Sequence, residues 1–157
     1  ETARLECLMA IDRDADAFLA SLVDREAAGP PLRMPDGSAL PRIPGYRRWM
    51  WDGEFVGTIG LRWVPGTDAL PAHVLGHIGY TVVPWKRGRG NATRALALLL
   101  PEAKAEGLTS VELTVEPHNL ASRRVIEANG GIFVEPFEAP AVYGAHRQGL
   151  RYRITLG

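Results

Sequence analysis

The sequence predicts an α/β fold, with a mixed, mostly antiparallel central sheet flanked by helices in a single domain over residues 1–157. Three stretches carry that expectation. His77 to Val83 is β-branched and aromatic and stops at Pro84. It then passes through a basic glycine-rich turn, Arg87-Gly88-Arg89-Gly90-Asn91-Ala92, into helical spacing at Leu96, Leu99, Leu100 and Ala103. Ser110 to Phe133 repeats the strand-then-helix order. Tyr46–Trp51 and Glu54–Trp63 form a hairpin around Asp52-Gly53, a strong turn dipeptide. The strand–helix–strand unit implies one right-handed crossover and one parallel strand pair, while hairpins are antiparallel.

Along the chain, Asp12 to Ala28 reads as a helix. Ala15, Phe18, Leu19, Leu22 and Val23 share a face, acidic residues sit near the start, and Gly29-Pro30-Pro31 ends it. Residues 30–45 hold Pro30, Pro31, Pro35, Pro41 and Pro44 with Gly37 and Gly45, which excludes a helix or a central strand. This stretch is expected to be a loop, either beside a substrate or a plain connector. Arg62, at the end of the hairpin, either reaches toward an acidic acceptor or is simply solvated. A strand is expected over 74–83, and Pro101 either kinks the following helix or ends it at Leu100. Thr109–Val115 is a strand. Asn119 caps a helix over 119–129, which Asn129-Gly130-Gly131 stops. Ile132–Val134 begins a strand, 135–148 is irregular, and Leu150–Leu156 alternates as a half-buried terminal strand.

The turn at 87–92 is built for an anion. Glycines admit close approach and positive φ, and the first amides of a helix lack intrahelical partners and carry the positive end of its dipole. Lys86, Arg87 and Arg89 add charge at the same place. Neither a GxxxxGK[ST] loop nor a GxGxxG fingerprint is present. The 18 basic and 18 acidic side chains balance, which argues against a nucleic-acid partner and for a small-ligand site. The one cysteine, Cys7, excludes an intrachain disulfide and fits a cytoplasmic location. No apolar run has the length of a membrane span. The chain begins at Glu1 rather than Met, so what precedes it is open.

Arg87-x-x-Gly90-x-Ala92 resembles the (Arg/Gln)-x-x-Gly-x-(Gly/Ala) signature of the GNAT superfamily of N-acetyltransferases, and Ser110–Phe133 resembles that family's next strand and helix. The variant Asn119-Leu120-Ala121-Ser122-Arg123-Arg124-Val125-Ile126-Glu127-Ala128-Asn129-Gly130-Gly131 is similar to a subgroup of uncharacterised predicted acetyltransferases. The resemblance implies a GNAT-like sheet whose parallel pair, 77–83 and 110–115, splays apart around the pantetheine arm of acetyl-CoA. It implies that the backbone of Val82 and Val83 holds the arm and that Arg87, Gly88, Arg89, Gly90, Asn91 and Ala92 hold the pyrophosphate. Thr93 would add a hydroxyl, with Asn119 and Ser122 also near the arm. Acetyl-CoA is the co-substrate, and no metal is implied.

The implied reaction is direct attack by a primary amine in a ternary complex, and the acceptor is a small molecule or a protein amine. His77 stands where many family members carry a Glu and is a candidate general base; a strand residue with a structural hydrogen bond, or a water as base, is the alternative. Tyr80 reads as a core aromatic, and Glu112 and Glu116 lie on the neighbouring strand. Ile126 stands where many members carry an acidic Tyr, so the thiolate leaves unaided, or Ser122 or Tyr143 serves. Other readings are a catalytically weak acyl-CoA-binding or regulatory module and an acetyltransferase of protein N-termini. The edge strands with Trp49, Trp51 and Trp63 leave room for a homodimer.

Overall fold

The structure is a computed structural model that describes residues 2–143 and 147–157. Helices α1 (Thr2–Arg13) and α2 (Ala15–Ser21) lead into the short strand β1 (Val23–Asp24). The long helix expected over 12–28 is therefore two helices. Asp14 breaks the run because its carboxylate caps α2 by accepting from the Ala17 amide at 2.9 Å. Residues 22–24 leave the helix because Val23 and Asp24 pair with the next long strand. The proline-rich stretch is not structureless: β2 (Leu32–Arg33) and β3 (Ala39–Leu40) form a small hairpin around the turn at Asp36-Gly37.

The expected hairpin is β4 (Gly45–Trp51) and β5 (Phe55–Arg62). Its connection is three residues long rather than two, since Trp51 pairs with Phe55 across a register shift. β6 (Ile78–Val82) follows, then a 3-10 turn at Pro84–Lys86 and helix α3 (Asn91–Ala105). Pro101 neither ends α3 nor lies on its inward face. It is exposed, while Leu96, Leu99 and Ala103 are fully buried. A proline inside a helix costs about 3 kcal/mol, and burying two leucines returns roughly 1.5–3 kcal/mol each. β7 (Ser110–Val115), α4 (Leu120–Ala128), β8 (Ile132–Glu138) and β9 (Gln148–Thr155) complete the chain. β8 runs through Pro136, which an edge strand tolerates, and it fills part of the stretch expected to be irregular. Residues 144–146 of that stretch lie outside the described residues.

The strands form two half-sheets of order β1-β4-β5-β6 and β7-β9-β8. α3 packs on β5, β6 and α4, and one apolar core joins both halves through Val56, Ile59, Leu61, Leu96, Val111 and Tyr152, among others. Trp63, expected as an exposed tryptophan, is in this core at 5% exposure and stacks edge-on against Tyr46. It has no surface to offer a partner, whereas Trp49 and Trp51 are exposed. Among the described residues no helix is long and apolar enough to cross a membrane.

The halves meet just before β6. The His77 amide donates to the Glu112 carbonyl at 2.7 Å, and the Glu112 amide donates to Nδ1 of the His77 ring at 2.9 Å. A continuing ladder would need a backbone carbonyl where the imidazole sits, so pairing stops after one rung. Beyond it, residues 78–80 and 113–116 line one cleft, so β6 and β7 leave the junction in the same direction and diverge. Gly76 permits the approach, because a Cβ there would lie 2.9 Å from the Glu112 carbonyl oxygen. Asp68 adds a second tie by accepting from the amides of Thr109 and Ser110.

His77 is 1% exposed, and burial pushes its ring below the ordinary value of 6.5. With Nδ1 accepting, the neutral ring carries its proton on Nε2. As pH falls through about 6.5 the unfolded chain takes up this proton before the folded one does, so stability is full above that pH and falls below it. Urea midpoints between pH 5 and 8 test this. His77→Asn, which keeps an acceptor without titrating, should flatten the acid limb. His77→Phe should cost about 1–3 kcal/mol at all pH by orphaning the Glu112 amide. An acid limb unchanged in His77→Asn would contradict the assignment.

Candidate functional site

The site forms where β6 and β7 separate. A cleft of about 290 Å³ lies between them, and its lining includes Tyr80, Thr114, Glu116, Asn119, Ser122 and Ile126. Tyr80 comes from the free side of β6 and spans the cleft: its hydroxyl donates to the Ser122 carbonyl at 3.2 Å. Burial raises its pKa, so the hydroxyl stays protonated at neutral pH. Asn119 caps α4 as expected, its side-chain oxygen accepting from the Ser122 amide at 3.1 Å. This leaves the amide nitrogen of Asn119 as its remaining donor.

At the far end of β6 lies the turn. Gly88 has φ +72 and Gly90 has φ +73, the left-handed region where glycine alone is unstrained. Gly90 is the N-cap of α3 and makes no side-chain cap, so the amides from Gly90 through Thr93 have no partner within the helix. Arg87 folds back, its Nε donating to the Val82 carbonyl at 3.0 Å. Arg94, which the motif does not single out, stands beside the turn. Its NH2 group donates to Asn91 Oδ1 at 2.6 Å, and its NH1 lies 3.4 Å from where a Gly90 Cβ would be. Arg87, Arg89 and Arg94 are exposed. Asn129 joins the two helices by donating to the carbonyls of Thr93 at 3.2 Å and Val125 at 2.9 Å.

Lys86 is not part of the cradle. It is 8% exposed and pairs with Asp52 Oδ1 at 2.8 Å and Glu54 Oε2 at 3.0 Å, and these hydrogen bonds raise its pKa. It ties the hairpin turn to the glycine loop instead. Val83 is also committed: its amide donates to the Val56 carbonyl at 2.9 Å and its carbonyl accepts from the Lys86 amide at 3.0 Å. Backbone groups alternate between the two edges of a strand, so Val82, one residue earlier, points its amide to the edge away from β5, while its carbonyl is held by Arg87.

His77 does not line the cleft and is enclosed at the junction, so its placement is that of the structural alternative rather than of a base in contact with substrate. Glu112 is likewise occupied, by Arg151 at 2.7 Å and Arg153 at 2.8 Å. Arg123 and Glu127, one helical turn apart on α4, are bridged by Tyr152, whose hydroxyl donates to Glu127 and accepts from Arg123, each at 3.1 Å.

Glu116, one residue past β7, is the acid at the cleft. It contacts Arg147 at 3.2 Å and His118 at 3.3 Å. A second cavity of about 290 Å³ lies on the other side of it, and Thr114, Val115, Glu116 and Arg147 line both. Arg62 and Tyr143 face this second cavity, and the Tyr143 hydroxyl donates to the His73 carbonyl. The proline-rich stretch 30–45 lines neither of these two cavities. Among the described residues no group of His, Cys, Asp and Glu is arranged to hold a metal ion.

Comparison with known proteins agrees with this geometry. The family model described as the acetyltransferase (GNAT) family matches residues 16–130. A curated relative, the L-2,4-diaminobutyric acid acetyltransferase of Streptomyces avermitilis, is 33% identical over 111 residues, covering 57% of this chain and 62% of the relative. The solved structure of Mycobacterium smegmatis RimJ in complex with CoA-disulfide superposes with a TM-score of 0.57 at 33% identity, over 71% of this chain and 53% of that one. yncA, a putative acetyltransferase from Salmonella typhimurium with its cofactor acetyl-CoA, shares the fold at 18% identity and a TM-score of 0.53, over 67% of this chain and 60% of that one. The chain thus spans less than two thirds of the length of these relatives. With the motif, the splayed half-sheets and the matched span in agreement, the chain belongs to the acetyltransferase (GNAT) family.

Proposed function

We propose that the protein is an acetyl-CoA-dependent N-acetyltransferase that moves an acetyl group to a primary amine by direct attack in a ternary complex. The observation that carries this reading is the placement of a free-amide anion cradle, Gly88–Thr93, at the end of a strand that borders an open cleft. The chain's residues fit acetyl-CoA. The cradle amides and the exposed Arg87, Arg89 and Arg94 suit a pyrophosphate, and the cleft edge of β6 with Asn119 and Ser122 suits an amide-rich arm. Acetyl-CoA supplies an activated thioester carbonyl when bound.

The protein's part is to hold the two reactants together and to manage protons. The amine nitrogen bonds to the thioester carbon, the carbon–sulfur bond breaks, and the amine loses one proton while sulfur gains one. Glu116, reached from both cavities, replaces His77 in our reading as the acceptor of the amine proton, directly or through one water. Tyr80, with its protonated hydroxyl inside the cleft, is the donor to sulfur; Ser122 is kept as a cofactor contact. Cys7 is exposed on α1 and lines neither cavity, which supports a route without a covalent acyl-enzyme.

Gly90→Glu should abolish acetyl-CoA binding in calorimetric titration with the fold retained, because it adds strain and negative charge to the cradle; unaltered affinity would refute the phosphate assignment. In a thiol-release assay on an amine panel, Glu116→Gln should lower kcat/KM on the order of 10²-fold. Tyr80→Phe should lower kcat about tenfold or more. Both should bind acetyl-CoA as the parent does. Full activity in either variant removes that residue from the proposed mechanism.

A further inference from the structure

We propose that the acceptor amine also carries a carboxylate and that Arg62 is the residue that recognises it. The inference rests on the acetyl-transfer reading and narrows its acceptor. The cavity on the far side of Glu116 is about 290 Å³, at the small end for ligand pockets, which suits a small molecule better than a polypeptide chain. Its charged side chains are Arg62, Glu116 and Arg147, and the last two are already in contact with each other at 3.2 Å. Arg62 has no acidic partner among the described residues. Its one side-chain hydrogen bond there is from Nε to the Gly76 carbonyl at 2.6 Å.

That bond fixes the plane of the guanidinium and leaves both terminal NH2 groups free. This is the arrangement that grips a carboxylate through two parallel hydrogen bonds. The side chain is open to solvent through the cavity, yet surrounding protein and nearby Arg47 depress its pKa, so an anion would relieve an uncompensated cation. Gly79 lies beside it: a Cβ there would stand 3.5 Å from the Arg62 NH2 group, an ordinary contact distance. Gly79 also lines the thioester cleft. A molecule held by its carboxylate at Arg62 can therefore extend its amine past Glu116 into that cleft. The carboxylate end meets Arg62 and the amine end meets Glu116, so the two charges of an amino acid match the two ends of the cavity. An internal peptide bond next to a protein N-terminus offers Arg62 no such anion.

The test is thiol release with 2,3-diaminopropanoate, 2,4-diaminobutanoate, ornithine and lysine, each beside its α-carboxamide. 1,3-Diaminopropane and a tripeptide complete the panel, and acetyl-CoA affinity is measured in parallel. At least one acid should be used about 10–100-fold better, in kcat/KM, than its carboxamide. Arg62→Met should bring that ratio to near one, and Arg62→Lys should leave it intermediate, both with acetyl-CoA affinity unchanged. Carboxamides, the plain diamine or the tripeptide used as well as the acids would overturn the proposal, as would turnover of no acid by a protein that binds acetyl-CoA. A preference that persists in Arg62→Met would remove Arg62. Failure to bind acetyl-CoA at all would instead overturn the acetyltransferase reading beneath it.

Discussion

The hydrogen bond from the Glu112 amide to the His77 ring is the constraint on which the rest of the site depends. A side chain occupies the position of a backbone acceptor, so backbone pairing between the two half-sheets stops at one rung and the strands are then free to part. The parting creates the cleft, exposes one edge of β6 and aims β6 at the glycine turn. Burial makes this joint effective, because water cannot compete for the Glu112 amide around a ring that is 1% exposed. The same burial keeps the ring off the lining of the cleft.

The second organising feature is the separation of charge along the site. Positive charge and free amides gather at the start of α3, and Lys86 is withdrawn from them by Asp52 and Glu54. The cradle is thus set by backbone geometry and three exposed arginines rather than by every basic residue in the motif. At the opposite end Arg62 has no acidic partner among the described residues, and Glu116 lines both cavities.

Much of the fold was legible in the sequence because the signals were local. The Asp52-Gly53 turn, the Asn119 cap and the Gly90 start of α3 are each decided within a few residues. The parts misread are those decided by distant partners. Val23 and Asp24 look helical by spacing and are drawn into β1 by Tyr46 and Gly45. Pro101 survives because of what the other face of α3 buries. In the site, the glycine turn could be read from residue types alone, whereas the commitments of His77, Lys86 and Val83 could not, since each depends on a neighbour at Glu112, Asp52 or Val56. Glu116 and Arg62 look like ordinary strand-end charges until β5 and β7 are brought beside one cavity.

The most direct measurement is amide hydrogen exchange, with and without acetyl-CoA, resolved to single residues across 78–94. The account predicts slowed exchange at the amides of Gly88 through Thr93 and at alternate residues of β6, those at Ile78, Tyr80 and Val82, with the Val83 amide already slow and unchanged. Protection spread evenly over β6, or absent from Gly88–Thr93 while acetyl-CoA is bound, would contradict it.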